Sequence, residues 1–331
     1  ALRPRADRRV ALASLDIERA VTFELDRLER AAAGWGEYVK GVAWALQDQG
    51  YRLAGWEGVM AGDVPIGAGL SSSAALELAA ARAFAAVSGW EWRPAAMARI
   101  AQLAENRWVG VNCGIMDQMI SAAGAAGHAL LIDCRSYAVE PVPVPPAARI
   151  LVLDSAAPRA LAGSAYNQRR AQCEAAVAKL QAAQPGLRAL RDVSPELLAA
   201  EAWRLDDVEL RRARHVVSEN GRVLAGVAAL RRGDAAEFGR LMVASHESLR
   251  DDYEVSGPEL DALTAIALDT PGVLGARLTG AGFGGCCVAL VAAEQAEAAA
   301  EAIAARYGAA SGRPGAAYVS ALGPGVAVRP V

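Results

Sequence analysis

Apolar and polar positions along the chain alternate between two rhythms, one of strands and one of helices. Residues 8–16 read as a strand. In residues 21–25, Val21, Phe23 and Leu25 alternate with Thr22 and Glu24, which predicts a second strand paired with the first. From residue 35 to 46 the apolar positions take helical spacing, with Trp35, Tyr38 and Val42 on one face. A short extended run at 59–61 is broken by Pro65, and residues 74–84 are strong helix formers. A further helix is expected from residue 94 to about 108, a buried strand at 129–134 and a core strand at 150–154. Pro141, Pro143, Pro145 and Pro146 mark a linker. They predict a first domain over 1–147 and a second over 148–331. Helical stretches follow to residue 220, then a glycine-rich turn feeding an apolar strand at 275–290 and an alanine-rich helix at 293–307.

Composition narrows the function classes. The 331 residues suffice for two domains with a large core, and 53% hydrophobic content argues against disorder. A net charge of −3 supplies no basic footprint for nucleic acid. No apolar run reaches the length of a membrane span, and the first residues have no apolar signal core. The five cysteines are odd in number and lack a C-x-x-C spacing, which fits a reduced, cytoplasmic protein with cysteines as small core residues. His128, His215 and His246 have no partners at ligand spacing, so no zinc site is read.

The stretch from Gly62 to Ala74 carries the chemistry. Gly67 and Gly69 allow positive φ and close approach of a ligand to the backbone. Ser71, Ser72 and Ser73 are good N-cap residues for the helix that follows. Free N–H groups at such a helix start form an anion site, although a tight turn before a capped helix has the same local features. The Walker pattern is excluded because Leu70-Ser71 stands where Lys-Ser/Thr is needed. The dinucleotide fingerprint is excluded because its third glycine position is Ser72. Asp117, set between apolar residues and glycines, is either a turn residue or a functional acid.

The run Pro65-x-Gly67-Ala68-Gly69-Leu70-Ser71-Ser72-Ser73-Ala74 resembles the ATP-phosphate loop of the GHMP kinases. Other motifs resemble the galactokinase branch of that family: Trp35-x-x-Tyr38-Val39-Lys40-Gly41-Val42, Cys113-Gly114-Ile115-Met116-Asp117-Gln118, and the segment holding Tyr166-Asn167 and Cys173-Glu174. The segment His246 to Ser256 follows the same branch, and Gly280-Ala281-Gly282 resembles the third family motif. The resemblance runs from about Val10 to the C-terminus. It implies an α+β fold of two domains, a ribosomal protein S5 domain-2-like N-terminal domain and a ferredoxin-like C-terminal domain. It also implies ATP-dependent phosphorylation of galactose at its anomeric hydroxyl.

The resemblance further implies a set of roles. ATP would be held by Trp35, Pro65, Gly67, Ala68, Gly69, Leu70, Ser71, Ser72, Ser73, Gly280 and Gly282. Mg²⁺ would be held by Ser73 and Glu105, with Asp117 as the catalytic acid–base group and Gly114 and Tyr166 positioning the sugar. Arg169 and Arg170 read as a solvated helix face, and Asp251 and Asp252 as a hydrogen-bonded helix end. The expected partner is a small sugar, with no nucleic acid or membrane, acting on a monomer. Arabinose or N-acetylgalactosamine phosphorylation, or a non-catalytic sugar sensor, are the other readings. The branch's N-terminal signature, with its Arg and Gly-Glu-His-Thr-Asp run, does not occur here. Its absence predicts a first domain lacking its first strand and turn, an unpaired edge beside residues 8–15, and an inactive chain.

Overall fold

The computed structural model describes residues 1–17, 20–31, 34–65, 69–158 and 162–329, apart from the side chains of 162–164. The chain forms two compact units. The first holds residues 1–66, 71–141 and 322–331, and the second holds 67–70 and 142–321. The division falls within the proline stretch, six residues before the expected boundary at 147/148. Contrary to the expected domains, the chain from residue 322 on belongs to the first unit. Backbone pairing explains this: Gly325 N–H donates to Gly124 O at 2.7 Å and Val326 N–H to Ser121 O at 2.9 Å.

In the first unit the elements are β1 (Leu2–Pro4), β2 (Arg9–Ser14), β3 (Val21–Glu24), α1 (Gly36–Asp48), β4 (Trp56–Met60), α2 (Ser72–Ser88), α3 (Pro94–Leu103), α4 (Met116–Ala123), β5 (His128–Ile132) and β6 (Val139–Pro143). The order β1-β4-β2-β3 builds a four-stranded sheet, with β2 parallel to β4 and antiparallel to β3. Alternation turns Val10 and Leu12 inward, where they join Trp56, Val42, Leu46, Leu78, Phe84, Met97 and Met119 in one core. Trp56 meets Phe84 edge-on at 5.6 Å.

Three expectations change here. Strand β2 has neighbours on both sides, so the unpaired edge expected beside residues 8–15 does not exist. The edges are β1 and β3, only three and four residues long, and such short strands are poor templates for edge pairing. The expected helix to about residue 108 ends as an α-helix at Leu103 and widens into a π turn over Ala104–Val109. The expected buried strand at 129–134 is the half-buried β5, paired with β6 in a sheet of two strands among the described residues.

The second unit comprises β7 (Ala148–Asp154), α5 (Ala162–Leu180), α6 (Pro195–Glu201), α7 (Asp207–Arg231), α8 (Ala235–Asp251), α9 (Pro258–Leu268), β8 (Val273–Leu278), β9 (Cys286–Ala292), α10 (Ala296–Ser311) and β10 (Ala316–Ser320). Its sheet, ordered β10-β7-β9-β8, is antiparallel throughout. Numbered within the unit this is 4-1-3-2, with helices between first and second and between third and fourth strands, the ferredoxin-like arrangement. Leu151, Leu153, Ala276, Leu278 and Ala289 pack against Leu260 and Leu263 of α9 and Ile303 and Tyr307 of α10. Of the five free cysteines only Cys286 and Cys287 are fully buried; Cys134 is exposed, against the expectation of five core residues.

Helix α8 closes on α7 through a buried polar seam. His215 Nδ1 lies 3.0 Å from Ser248 Oγ, and its ring stacks on Tyr253 at 4.5 Å. Asp252 accepts from Ser248 Oγ at 3.1 Å, as expected for a hydrogen-bonded helix end. Burial, reinforced by the charges of Arg222 and Arg277 and opposed by Glu219, lowers the His215 pKa from 6.5 to about 4. The folded protein keeps this imidazole neutral while the unfolded chain protonates it near 6.5. Its contribution is therefore complete above that pH and is lost as pH falls toward about 4. The loss attributable to His215 should be on the order of 2–3 kcal/mol. Urea unfolding of the wild type at pH 7 and pH 5 should show the drop, and His215→Asn should show a smaller one. An unchanged drop in the variant would remove His215 as its source.

Candidate active site

The turn before α2 starts with Gly69 at φ +81° and continues through Ser71 at φ 60°, ψ 40°, both left-handed. Gly67 and Ala68 lie outside the described residues. Ser71 is the N-cap of α2, but its side chain makes no capping bond, contrary to the expected serine cap. A capping hydroxyl reaches the N2 or N3 amide from extended backbone, and Ser71 is left-handed. Pro65, Leu70, Ser72 and Ser73 are half-buried around this turn. A helix start without a side-chain cap keeps its N–H groups available to an anion.

One turn further along α2, Glu77 is wholly buried. Its helical neighbours Ala74, Ala80 and Ala81 are buried too, so the acid sits on the core-facing stripe. Gln118 of α4, also buried, donates from Nε2 to Glu77 Oε2 at 3.3 Å and to Glu105 Oε2 at 2.6 Å. Cys113 Sγ adds a contact to Glu105 Oε2 at 3.3 Å. Burial first, and the charge of Glu105 second, push the Glu77 carboxyl up to about 9 and the Cys113 thiol up to about 12. The same two causes raise Tyr38.

Glu105 stands in the π turn and is 5% exposed. The hydrogen bonds it receives among the described residues all reach Oε2, which leaves Oε1 for another partner. A carboxylate oxygen together with a serine hydroxyl is a hard oxygen donor set of the kind Mg²⁺ takes alongside phosphate oxygens. Among the described residues no group of three or more His, Cys, Asp or Glu side chains could hold a metal by itself.

Asp117 occupies the first turn of α4, so it is not the β-turn residue that its glycine-flanked position allowed. It is half-exposed, and no hydrogen bond or ion pair among the described residues engages its carboxylate. Consecutive helical residues point about 100° apart, so Gln118 turns into the core while Asp117 does not. Gly114 in the preceding loop is exposed, and a methyl group added there would meet nothing within 4 Å. Trp35 is the N-cap of α1 and packs on the core edge. Beside it Glu37 accepts from Trp108 Nε1 at 3.0 Å and from Lys40 at 2.8 Å.

In the second unit, Tyr166 is 41% exposed on α5 and lines a groove of about 540 Å³ with Arg170, Cys173 and Tyr253. Arg169 is no solvated helix residue: it donates to Tyr253 O at 2.7 Å and to Glu254 O at 2.8 Å. Arg170 does sit at the surface, paired with Glu174. Arg212, 1% exposed, donates to Asp252 O at 2.5 Å and pairs with Glu254. The segment so gripped supports the glycine turn between β8 and β9, where Phe283 N–H donates to Val255 O at 2.8 Å. Gly280 and Gly282 lie in that turn at φ +70° and +79°.

Sequence reading singled out neither Glu77 nor Gln118. The available signals were an acid within an alanine stripe and an amide beside Ile115, Met119 and Ala122 on the apolar face of α4. No helix among the described residues is long and apolar enough to cross a membrane.

Comparison with known proteins gives consistent matches. Residues 37–125 match the model of the GHMP kinases N terminal domain and residues 227–309 that of the GHMP kinases C terminal. The chain is 50% identical over 326 residues to the galactokinase of Roseiflexus sp. (strain RS-1), covering 98% of this chain and 83% of that protein. It is 47% identical to the galactokinase of Chloroflexus aurantiacus over 98% of this chain and 84% of that one. The crystal structure of Lactococcus lactis galactokinase complexed with galactose superposes with a TM-score of 0.91 at 37% identity, over 98% of this chain and 85% of that one. A mevalonate kinase structure at 16% identity and TM-score 0.62 shares the fold. The expectation of an inactive chain finds no support in matches that span 98% of it.

Gly282 and Gly114 should differ sharply in how well they tolerate a methyl group. At Gly282 a Cβ would meet Val255 O at 2.2 Å, on left-handed backbone that side chains rarely adopt. Gly282→Ala should destabilise the protein by about 2 kcal/mol or more, and Gly114→Ala by roughly 0.5 kcal/mol at most. Thermal unfolding of both variants checks this; equal melting temperatures would contradict the packing described for the β8–β9 turn.

Proposed function

The chain belongs to the galactokinases of the GHMP kinase family, and from that premise we propose that it transfers the γ-phosphoryl group of ATP to the anomeric hydroxyl of galactose. The products are galactose 1-phosphate and ADP. The observation that carries the reading is on α4. Its first turn presents Asp117 without a hydrogen-bond or ion-pair partner among the described residues, while the next residue, Gln118, is bound to Glu105.

Phosphoryl transfer asks a protein mainly for positioning and charge neutralisation. The N–H groups of residues 67–73 and the start of α2 are assigned to the phosphates, with Trp35 beside the adenine and Pro65 fixing the entry to the loop. Gly280 and Gly282 are likewise assigned to the nucleotide. Gly114 and Tyr166 are assigned to the sugar. Asp117 accepts the proton of the anomeric hydroxyl as its oxygen bonds to the γ-phosphorus and the bond to the ADP oxygen breaks. Ser73 and Glu105 would hold Mg²⁺, which when bound neutralises charge on the β- and γ-phosphate oxygens. The α2 start that Ser71 does not cap, and Glu105 Oε1, which takes no hydrogen bond among the described residues, support these roles.

The reaction is tested by galactose-dependent ADP release, with ³¹P NMR showing the phosphate on the anomeric oxygen. Faster turnover of arabinose or N-acetylgalactosamine would reassign the substrate. Sugar and nucleotide binding without turnover would make the protein a sensor. Asp117→Asn should lower kcat by roughly 10²-fold while leaving ATP affinity unchanged. Near-normal turnover in that variant would take Asp117 out of the chemistry. Gly69→Val should abolish measurable nucleotide binding in calorimetry, because its φ of +81° and the close approach of phosphate both exclude a branched side chain. Unchanged affinity would detach the loop from the nucleotide.

A further inference from the structure

We propose that Gln118 is a positioning residue for the metal-facing carboxylate: its amide holds Glu105 by Oε2 so that Oε1 points to the ion. The proposal rests on the reading of Glu105 as a Mg²⁺ ligand and extends it to the residue behind that ligand.

The geometry is specific. Gln118 is 1% exposed, and its Nε2 lies 2.6 Å from Glu105 Oε2, the shortest of its contacts. The same nitrogen reaches Glu77 Oε2 at 3.3 Å and Cys113 Sγ at 3.5 Å. One amide therefore ties together α2, which carries the phosphate turn at its start, the π turn that carries Glu105, and α4, which carries Asp117. A π turn widens the helix and re-aims its side chains, and such turns occur often at functional sites. Re-aimed in this way, Glu105 would be free to rotate without a fixed donor at one oxygen. Gln118 and Cys113 both meet that oxygen and leave the other alone. Outer donors of this kind orient metal ligands, and their loss typically costs 10–100-fold in metal affinity.

A merely structural Gln118 would satisfy two buried acids and nothing more. The two roles differ in what they predict for metal binding apart from nucleotide binding. The test measures Mn²⁺ affinity of the protein–AMP-PNP complex by electron paramagnetic resonance, alongside metal-free AMP-PNP affinity by calorimetry. Gln118→Met, similar in shape but without donors, should weaken Mn²⁺ binding tenfold or more and leave metal-free AMP-PNP affinity within twofold. Glu105→Gln should weaken Mn²⁺ binding as well. If Glu105→Gln loses Mn²⁺ affinity and Gln118→Met keeps it, the positioning role is wrong and the ligand assignment stands. If Glu105→Gln keeps it, the ligand assignment fails and the proposal fails with it. Parallel loss of metal-free nucleotide affinity in Gln118→Met would show a structural role only and overturn the proposal. Should the Met variant not fold, Gln118→Asn decides in the same assays: it keeps the amide one methylene short, and retained Mn²⁺ affinity would overturn the proposal.

Discussion

A single amide between two buried carboxyl groups is the constraint on which the first unit depends. Glu77 and Glu105 are both withdrawn from water, and a buried acid without a hydrogen-bond partner is strongly unfavourable. Gln118 supplies donors to both, and Glu77 lies in an environment that holds its carboxyl up near 9. The alternative, two charged carboxylates sharing a core, would repel. The arrangement adds a polar tie between α2, α4 and the π turn to the apolar packing of Leu78, Ala104 and Met119. With Gln118 turned inward beside Met119 and Ala122, the preceding Asp117 has no hydrogen-bond or ion-pair partner among the described residues.

The second unit solves a different problem, the support of a turn built largely of glycine, with Phe283 as its one large side chain. Five residues from 280 to 285 take positive φ, including the non-glycine Phe283. Left-handed backbone persists where its surroundings over-determine it. Here the surroundings are the segment 252–255, held from one side by Arg169 and Arg212 and offering Val255 O to Phe283 N–H. Arg212 is nearly sealed from solvent, so removing its partner Glu254 would leave a buried charge unpaired.

Much of this was legible in the sequence, because hydrophobic periodicity is a direct record of burial. The β2–β3 pair, α1 with Trp35 at its start, and the apolar strand after the glycine turn follow from spacing alone. The motifs around Gly69, Asp117 and Tyr166 pointed to the kinase family that the relatives bear out. What was not legible depends on contacts far apart in the chain. The interior place of β2 follows from its parallel pairing with β4, more than forty residues on. The Arg169 carbonyl contacts span 84 and 85 residues, and a helical arginine pair looks the same in sequence whether it meets water or backbone. The π turn around Glu105 and the left-handed Ser71 are departures from regular geometry that propensity does not encode. Gln118 stood in plain view beside Asp117, yet its meaning lies in two acids 13 and 41 residues earlier.

The central claim, that the uncapped start of α2 is where the nucleotide phosphates sit, is open to direct measurement by hydrogen–deuterium exchange with and without Mg-AMP-PNP. The backbone amides of residues 69–73 should exchange markedly more slowly in the complex, because phosphate oxygens would occupy N–H groups that the Ser71 side chain does not cap. Saturating nucleotide that slowed exchange elsewhere and left those amides unchanged would contradict it.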